Sequence, residues 1–333
     1  MIDALHYRRA YCFSIFEIRM QRKRLPLIQP STRSLARAGR RTPGYRLFDF
    51  LHGYFYGRWP YLYIGIGVGE HPLSPTLARI AGWWSRLFPP RPADNGASPK
   101  PANLAFADSY HGKVVPLSAA TQLVTVHEEI RLTNLEQVIP YAHARDIILQ
   151  NPDHIIALQC PCRSARSDPC LPLDVCLVVG EPFASFVAEH IPQRSRWITP
   201  AEAVDILRAE DGRGHVHHAF FKDAMLGRFY AICNCCACCC GAMQAHQHGT
   251  PMLASSGYLN TVDEDLCIGC CDCTETCQFF ALTVMDGYAV VDETLCMGCG
   301  VCVSHCEQGA LSLRRVPAKG EPLEILELIQ RVG

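Results

Sequence analysis

Apolar and polar positions alternate in a readable way only from about Leu104 onward. Ile139 to Gln150 fits a helix, with Pro140 in its first turn. His154 to Gln159 (HIIALQ) is a short apolar run and reads as a buried strand. Asp174 to Val179 reads as a second strand and Glu181 to Glu189 as a helix. Thr199-Pro-Ala-Glu202 is a capping box with proline at the first helical position; it opens a helix that ends near Gly212 and Gly214. Val216 to Phe221 and Tyr230 to Ile232 follow as strands. ALTVMDGYAVV gives two strand-like runs around Asp286-Gly287, a strong hairpin signal. Ala310 to Leu313 is another strand, and Pro322 to Ile329 an amphipathic helix. The expected fold class is α+β: a mixed α/β middle domain with cysteine-bearing loops, followed by a smaller C-terminal domain.

The N-terminal part reads differently. Residues 1–60 hold 12 Lys and Arg against three acids (Asp3, Glu17, Asp49), a net +9. With Pro26, Pro30 and Pro43, residues 1–45 read as a basic segment of little order. Arg8-Arg9 invites comparison with a twin-arginine export signal. Glu17, however, interrupts the apolar stretch, and no A-x-A site follows. Residues 47–67 are dense in aromatics, among them Phe48, Phe50, Tyr54, Phe55, Tyr56, Trp59, Tyr61 and Tyr63. They are expected to pack on the rest of the protein; the alternative is a peripheral membrane contact aided by the basic flank. Residues 88–102, rich in Pro, Ala, Asn and Ser, read as a linker. The expected division is therefore 1–45, 46–103, 104–257, 258–315 and 316–333. No run of some 20 apolar residues occurs, so no integral membrane span is expected.

The chain has 333 residues and a formal charge of −1, which names no partner. Its 20 cysteines change the picture. They bunch in runs such as Cys235-Cys236 and Cys238-Cys239-Cys240, where neighbours are poorly placed for disulfides but suit metal ligation. Metal-bound thiolates imply a reducing compartment, expected to be the cytoplasm.

Near the C-terminus the chain repeats itself. Cys267-x2-Cys270-x2-Cys273-x3-Cys277 is followed 29 residues later by Cys296-x2-Cys299-x2-Cys302-x3-Cys306. Over about 55 residues this resembles the bacterial dicluster ferredoxins. The resemblance implies two [4Fe–4S] clusters with crossed ligation. Cys267, Cys270, Cys273 and Cys306 would hold one, and Cys296, Cys299, Cys302 and Cys277 the other. The proline that usually follows each fourth cysteine is replaced here by Gln278 and Glu307. Cys271 is an extra cysteine at a non-ligand position.

Two further groups lie upstream: Cys160-Pro-Cys162-Arg163 with Cys170 and Cys176, then Cys233-Asn-Cys235-Cys236-Ala-Cys238-Cys239-Cys240. Over roughly Asp108 to Leu326 the chain resembles a family of iron–sulfur proteins from anaerobes. These pair a C-x-C-R segment with a C-N-C-C-x-C-C-C segment and end in a dicluster ferredoxin. The resemblance implies iron–sulfur redox work. For these ten cysteines three uses stay open: one or two extra [4Fe–4S] clusters, a non-cubane catalytic cluster, or a structural zinc site. Six cysteines in eight residues cannot all hold one ion. Arg163 is a candidate hydrogen-bond donor to cluster sulfur. Among His215, His217, His218, His246 and His248, His217 is the first candidate for a histidine ligand. His111, in DSYHGKVVPL, is read as structural.

No dinucleotide or P-loop glycine motif occurs, so flavin or nucleotide chemistry would need a partner subunit. The expectation is an electron-transfer protein or redox-complex subunit with a redox partner protein. The alternative is an oxidoreductase whose catalytic cluster lies between Cys160 and Cys240. A DNA-binding regulator is disfavoured, and no nucleic-acid partner is expected, because the helix after Thr199 carries Glu202, Asp205, Glu210 and Asp211.

Overall fold

The computed structural model describes residues 28–76, 79 and 101–332. The twin-arginine comparison and most of the Pro-rich linker lie outside these residues. Both helices and strands are present, in keeping with an α+β chain.

The central sheet comprises β1 (Tyr110–Val115), β2 (Ile130–Leu132), β3 (Ile147–Leu158), β4 (Cys176–Glu181), β5 (Ser195–Ile198), β6 (Val216–Lys222), β7 (Arg228–Cys235) and β8 (Leu253–Ala254). Its order is β2-β3-β4-β7-β6-β1-β8, with β5 also pairing β3. All pairings between these strands are antiparallel except β1 with β8. Helices Leu117–Thr125, Pro200–Asp211 and Ile325–Val332 cover one face, through Leu123, Leu207 and Ile325. The other face packs on helix Phe183–His190, the N-terminal helices and most of the middle cysteines. The capping box is present: the Thr199 side chain accepts from the Glu202 backbone N–H.

Two sequence expectations need correction. Residues 139–150 are not a helix; from Ile147 the chain is strand. The consecutive β-branched Ile147 and Ile148 favour extended backbone, and β2 supplies a pairing partner. Proline at a helix start is permissive only, and here it is overridden. Second, Pro30–Arg41 is a helix despite its basic composition. Tertiary contacts hold it: the Ser31 N–H donates to Glu189 Oε2 at 2.8 Å, and Leu35 is buried.

The aromatic segment forms helices Leu47–Arg58 and Pro60–Gly67. Gly53 and Gly57 let the first approach closely. A Cβ on Gly53 would lie 2.1 Å from the Ala224 carbonyl oxygen, and one on Gly57 2.9 Å from the Phe186 ring. Hydrogen bonds fix the aromatic side chains, Tyr56 to Tyr230 at 2.7 Å and Tyr61 to the Gln159 carbonyl at 2.9 Å. Leu47, Phe48 and Leu51 remain exposed on the outer side. Among the described residues, no helix is long and apolar enough to cross a membrane.

The C-terminal repeat is built from β9 (Tyr258–Val262), β10 (Leu282–Met285), β11 (Tyr288–Val291) and β12 (Leu311–Arg315). β9 pairs β12, and β10 pairs β11, each antiparallel. Asp286 and Gly287 both have positive φ, 52° and 91°, as a tight two-residue hairpin turn requires.

Candidate metal centres

In the C-terminal repeat, Cys267, Cys270, Cys273 and Cys306 line one small cavity, and Cys277, Cys296, Cys299 and Cys302 line another. Each cavity is about 20 Å³. Short helices Asp272–Thr276 and Val301–Ser304 carry the third cysteine of each motif and turn the fourth towards the other cavity. Donors point at the sulfurs. The Ala289 N–H donates to Cys267 Sγ and the Ala281 N–H to Cys277 Sγ, both at 3.3 Å; the Asn260 side-chain amide donates to Cys302 Sγ at 2.7 Å. Burial pushes the Cys302 thiol up to about 12 and the Cys273 thiol to about 11. Thiolates buried in this way need a cationic core to hold them deprotonated, and an iron–sulfur cluster is one. The donor sets therefore fit such clusters.

Gly269 and Gly298, one per repeat, take φ of 67° and 64° against neighbouring backbone. A Cβ there would lie 2.5 Å from the Gly287 oxygen and 2.2 Å from the Tyr258 oxygen, respectively. The sequence signal for them is the glycine before the second cysteine of each motif. Cys271 is exposed, with φ 73°, and occupies the turn position that Gly300 fills in the second repeat.

The ten upstream cysteines divide into six and four. Side-chain interactions link the thiols of Cys233, Cys176, Cys160, Cys162, Cys240 and Cys235 in that order, and Cys235 feels the charge of Cys233, so the six thiols make a loose ring. The fold explains the selection. The pleat of β7 sends Cys233 and Cys235 to one face and Asn234 to the other. Cys160 ends β3, Cys162 follows in helix Pro161–Ser164, Cys176 starts β4, and Cys240 precedes helix Gly241–Gln247. Contact with Cys162, together with burial, holds Cys160 up at about 12.

This ring lines a cavity of about 80 Å³, four times either C-terminal one. The remaining wall is mostly apolar and aromatic, including Tyr56, Pro60, Tyr110, Phe220 and Tyr230, with Arg163 and Asn234 as its polar members. The aromatic N-terminal segment is thus the cover of the thiol chamber. Lys222 Nζ lies 4.3 Å from the Tyr110 ring centre and 4.9 Å from that of Tyr56, and burial pulls its pKa down to about 8.

The other four cysteines, Cys170, Cys236, Cys238 and Cys239, form a separate group nearer the surface. Their sulfurs all lie within 4.8 Å of one another. The sulfurs are 3.2 Å apart for Cys170–Cys238, 3.4 Å for Cys236–Cys238, 3.6 Å for Cys238–Cys239 and 3.7 Å for Cys170–Cys236.

Arg163 is fully buried among these groups. Its guanidinium donates to Glu210 Oε2 at 2.5 Å, to the Pro172 carbonyl at 2.6 Å and to the Asn234 carbonyl at 3.1 Å. Its Nε has no hydrogen-bond partner. His215 bonds Glu210 at 2.7 Å. His217 contacts Asn234 Oδ1 at 2.6 Å, on the face away from Cys233 and Cys235. His218, in register with Cys233, is the histidine on the thiol side; neither of its ring nitrogens has a partner, and burial pushes its pKa down to about 3. His246 accepts weakly from the Leu253 N–H, at 3.4 Å, and His248 is exposed. His111 stacks on Tyr141 at 3.7 Å, with its ring nitrogens against the Ala107 and Ala144 carbonyls.

Sequence reasoning missed Gln278. It stands where ferredoxins carry proline, and its Oε1 accepts from the Ala237 N–H at 2.9 Å. It ties the C-terminal repeat to the turn that bears Cys236, Cys238 and Cys239. Beside it, Cys277, Phe279, Met297, Cys299 and Val301 belong to the same apolar core as Cys160, Cys176, Cys235 and Cys240.

Residues 289–312 match the family model of the 4Fe-4S binding domain. That stretch contains Cys296, Cys299, Cys302 and Cys306. A search of the curated proteins finds no match to the chain. The chain therefore carries a ferredoxin-type iron–sulfur region that binds at least one [4Fe–4S] cluster.

Proposed function

We propose that this chain is an iron–sulfur electron-transfer protein or a redox-complex subunit. Two [4Fe–4S] clusters are held by Cys267, Cys270, Cys273 and Cys306, and by Cys277, Cys296, Cys299 and Cys302. A further iron–sulfur cluster is held within the ring of Cys160, Cys162, Cys176, Cys233, Cys235 and Cys240, with Arg163 Nε available to a sulfur. When bound, the clusters supply one-electron exchange. In this reading the second quartet adjoins the chamber, since Cys277 and Cys299 pack with its cysteines, and the first lies beyond it.

The observation behind this reading is the shared core, in which Cys277 and Cys299 pack with the chamber cysteines. No redox partner is named by it; a donor or acceptor protein is implied by the chemistry. The division into an N-terminal cover, a middle domain and a ferredoxin domain belongs to the same proposal.

Anaerobic reconstitution with iron and sulfide analysis, then EPR at stepped potentials, tests it. The expected result is more than about eight irons per chain and a signal beyond the two of ferredoxin type. About eight irons with only those two signals would remove the third cluster.

The cavity itself favours a second reading, an oxidoreductase acting at the chamber. Its aromatic wall faces the thiol ring and leaves space beside it. Cyanide as a probe separates the readings. A chamber signal altered by cyanide, with the ferredoxin signals unchanged, favours an open iron and hence the enzyme.

A further inference from the structure

The outer four cysteines differ from the other sets in one measurable respect, which is size. A tetrahedral ion with metal–sulfur bonds of about 2.3 Å places its sulfurs about 3.8 Å apart. A cubane places each thiolate on a different iron, which spreads the four sulfurs to roughly 6 Å apart. Four of the six sulfur–sulfur separations among Cys170, Cys236, Cys238 and Cys239 run from 3.2 to 3.7 Å, and none of the six exceeds 4.8 Å. Among the described residues, no other group of three or more metal-binding side chains converges so closely. The two C-terminal quartets, whose motifs are those of cubane sites, serve as the internal standard: neither brings three sulfurs within 4.8 Å of one another.

The surroundings suit a fixed small site. Arg166 donates to the Cys239 carbonyl at 3.2 Å, to Gln244 Oε1 at 2.6 Å and to Glu70 at 2.7 Å. Gln244 Nε2 donates to the Cys238 carbonyl at 2.9 Å, and Gln278 holds the Ala237 N–H. The turn that carries three of the sulfurs is therefore pinned from three directions, and Arg166 brings a positive charge beside a site with four thiolates. Cys170 is the exception. It comes from the separate loop between helix Pro161–Ser164 and β4.

We propose that Cys170, Cys236, Cys238 and Cys239 bind a single zinc ion in an all-thiolate tetrahedral site. Its role is structural: it clips the loop bearing Cys170 to the turn after β7. Cys236 and Cys239 also line the chamber, so the clip closes the chamber's outer wall. Soft thiolates in tetrahedral array suit zinc, and a redox-silent ion there keeps the loops fixed whatever the oxidation state of the neighbouring clusters. The proposal stands independently of the electron-transfer reading, because zinc is counted separately from iron.

Metal analysis of the full-length protein, purified anaerobically with its iron–sulfur clusters and washed with chelator, tests it. About one zinc per chain is expected, and absorption at the zinc edge should show four sulfur neighbours at about 2.3 Å. The double variant Cys170→Ser/Cys238→Ser should lose the zinc and keep the ferredoxin EPR signals. If that variant does not fold, cobalt exchanged into the wild-type protein should give the thiolate charge-transfer and tetrahedral d–d bands of a four-sulfur site. Full iron with no zinc, a single iron in zinc's place, or a double variant that loses about four irons would each overturn the proposal.

Discussion

In the C-terminal repeat, each quartet takes three cysteines from one loop and the fourth from the other repeat. In the middle of the chain, six cysteines within eight residues are shared between two centres. The first arrangement is local, with spacing setting the loop and the loop setting the site. The second is tertiary. Cys233 and Cys235 go inward because β7 is pleated, Cys236 leaves as the strand ends, and Cys240 returns inward before a helix. Neighbours in sequence thereby become members of different sites. The middle centres should then depend on contacts remote from the cysteines in a way that the C-terminal ones do not.

The largest expected effect tests that dependence. Glu210 and Arg163 are both buried and form the pair that holds the Cys162-bearing helix against helix Pro200–Asp211, with the Asn234 carbonyl of β7 as a further acceptor. Glu210→Ala leaves the guanidinium buried without its counter-ion, which costs about 3–5 kcal/mol. Urea unfolding should show a loss of that order. At sub-denaturing urea, the chamber signal should disappear before the two ferredoxin signals. Simultaneous loss of all three would mean that the two regions do not differ in this respect.

The same contrast explains what the sequence could show. The hairpin at Asp286-Gly287, the capping box at Thr199 and the doubled cysteine motif are local devices, and their residues announce them. The division of the ten cysteines needs the strand order that brings β3, β4 and β7 side by side, and no spacing rule contains it. Gln278 was visible only as a missing proline; its partner, Ala237, is 41 residues away. The strand from Ile147 departs from the helix its sequence suggests for a related reason. A proline at a helix start is a local cue, whereas the pairing of Ile147 and Leu149 with Leu132 and Ile130 is a long-range one.

A smaller effect lies on the face of the sheet opposite the chamber, where His111 stacks on Phe221. His111 is buried, and burial pulls its pKa from the ordinary 6.5 down to about 4, against the two carbonyls and Asp108, which pull it up. Above pH 6.5 the histidine is neutral in both states and contributes no pH dependence. As the pH falls from 6.5 to 4, the unfolded chain takes up a proton that the folded one refuses, so stability falls. The loss should be about 1.4 kcal/mol at pH 5.5 and about 3 kcal/mol by pH 4. Comparing urea midpoints at pH 7.5 and 5.5 for wild type and His111→Gln isolates it, since the variant lacks the titrating group. An equal pH dependence in both would show that His111 is not its source.

The smallest expected effect compares the two C-terminal loops with each other. Cys271 and Gly300 occupy equivalent turn positions, with φ of 73° and 85°. In that left-handed region a side chain costs roughly 1–2 kcal/mol, and glycine costs less there while losing more freedom on folding. Cys271 is exposed at the edge of the first cavity, and its thiol lies 3.6 Å from the Gly269 carbonyl. Cys271→Gly should therefore stabilise the loop by about 1 kcal/mol and leave iron content and both ferredoxin signals unchanged. A gain in stability with iron retained makes the first loop equivalent to the second and excludes Cys271 as a ligand. Loss of iron in Cys271→Gly would instead place this thiol in the cluster and break the symmetry between the repeats.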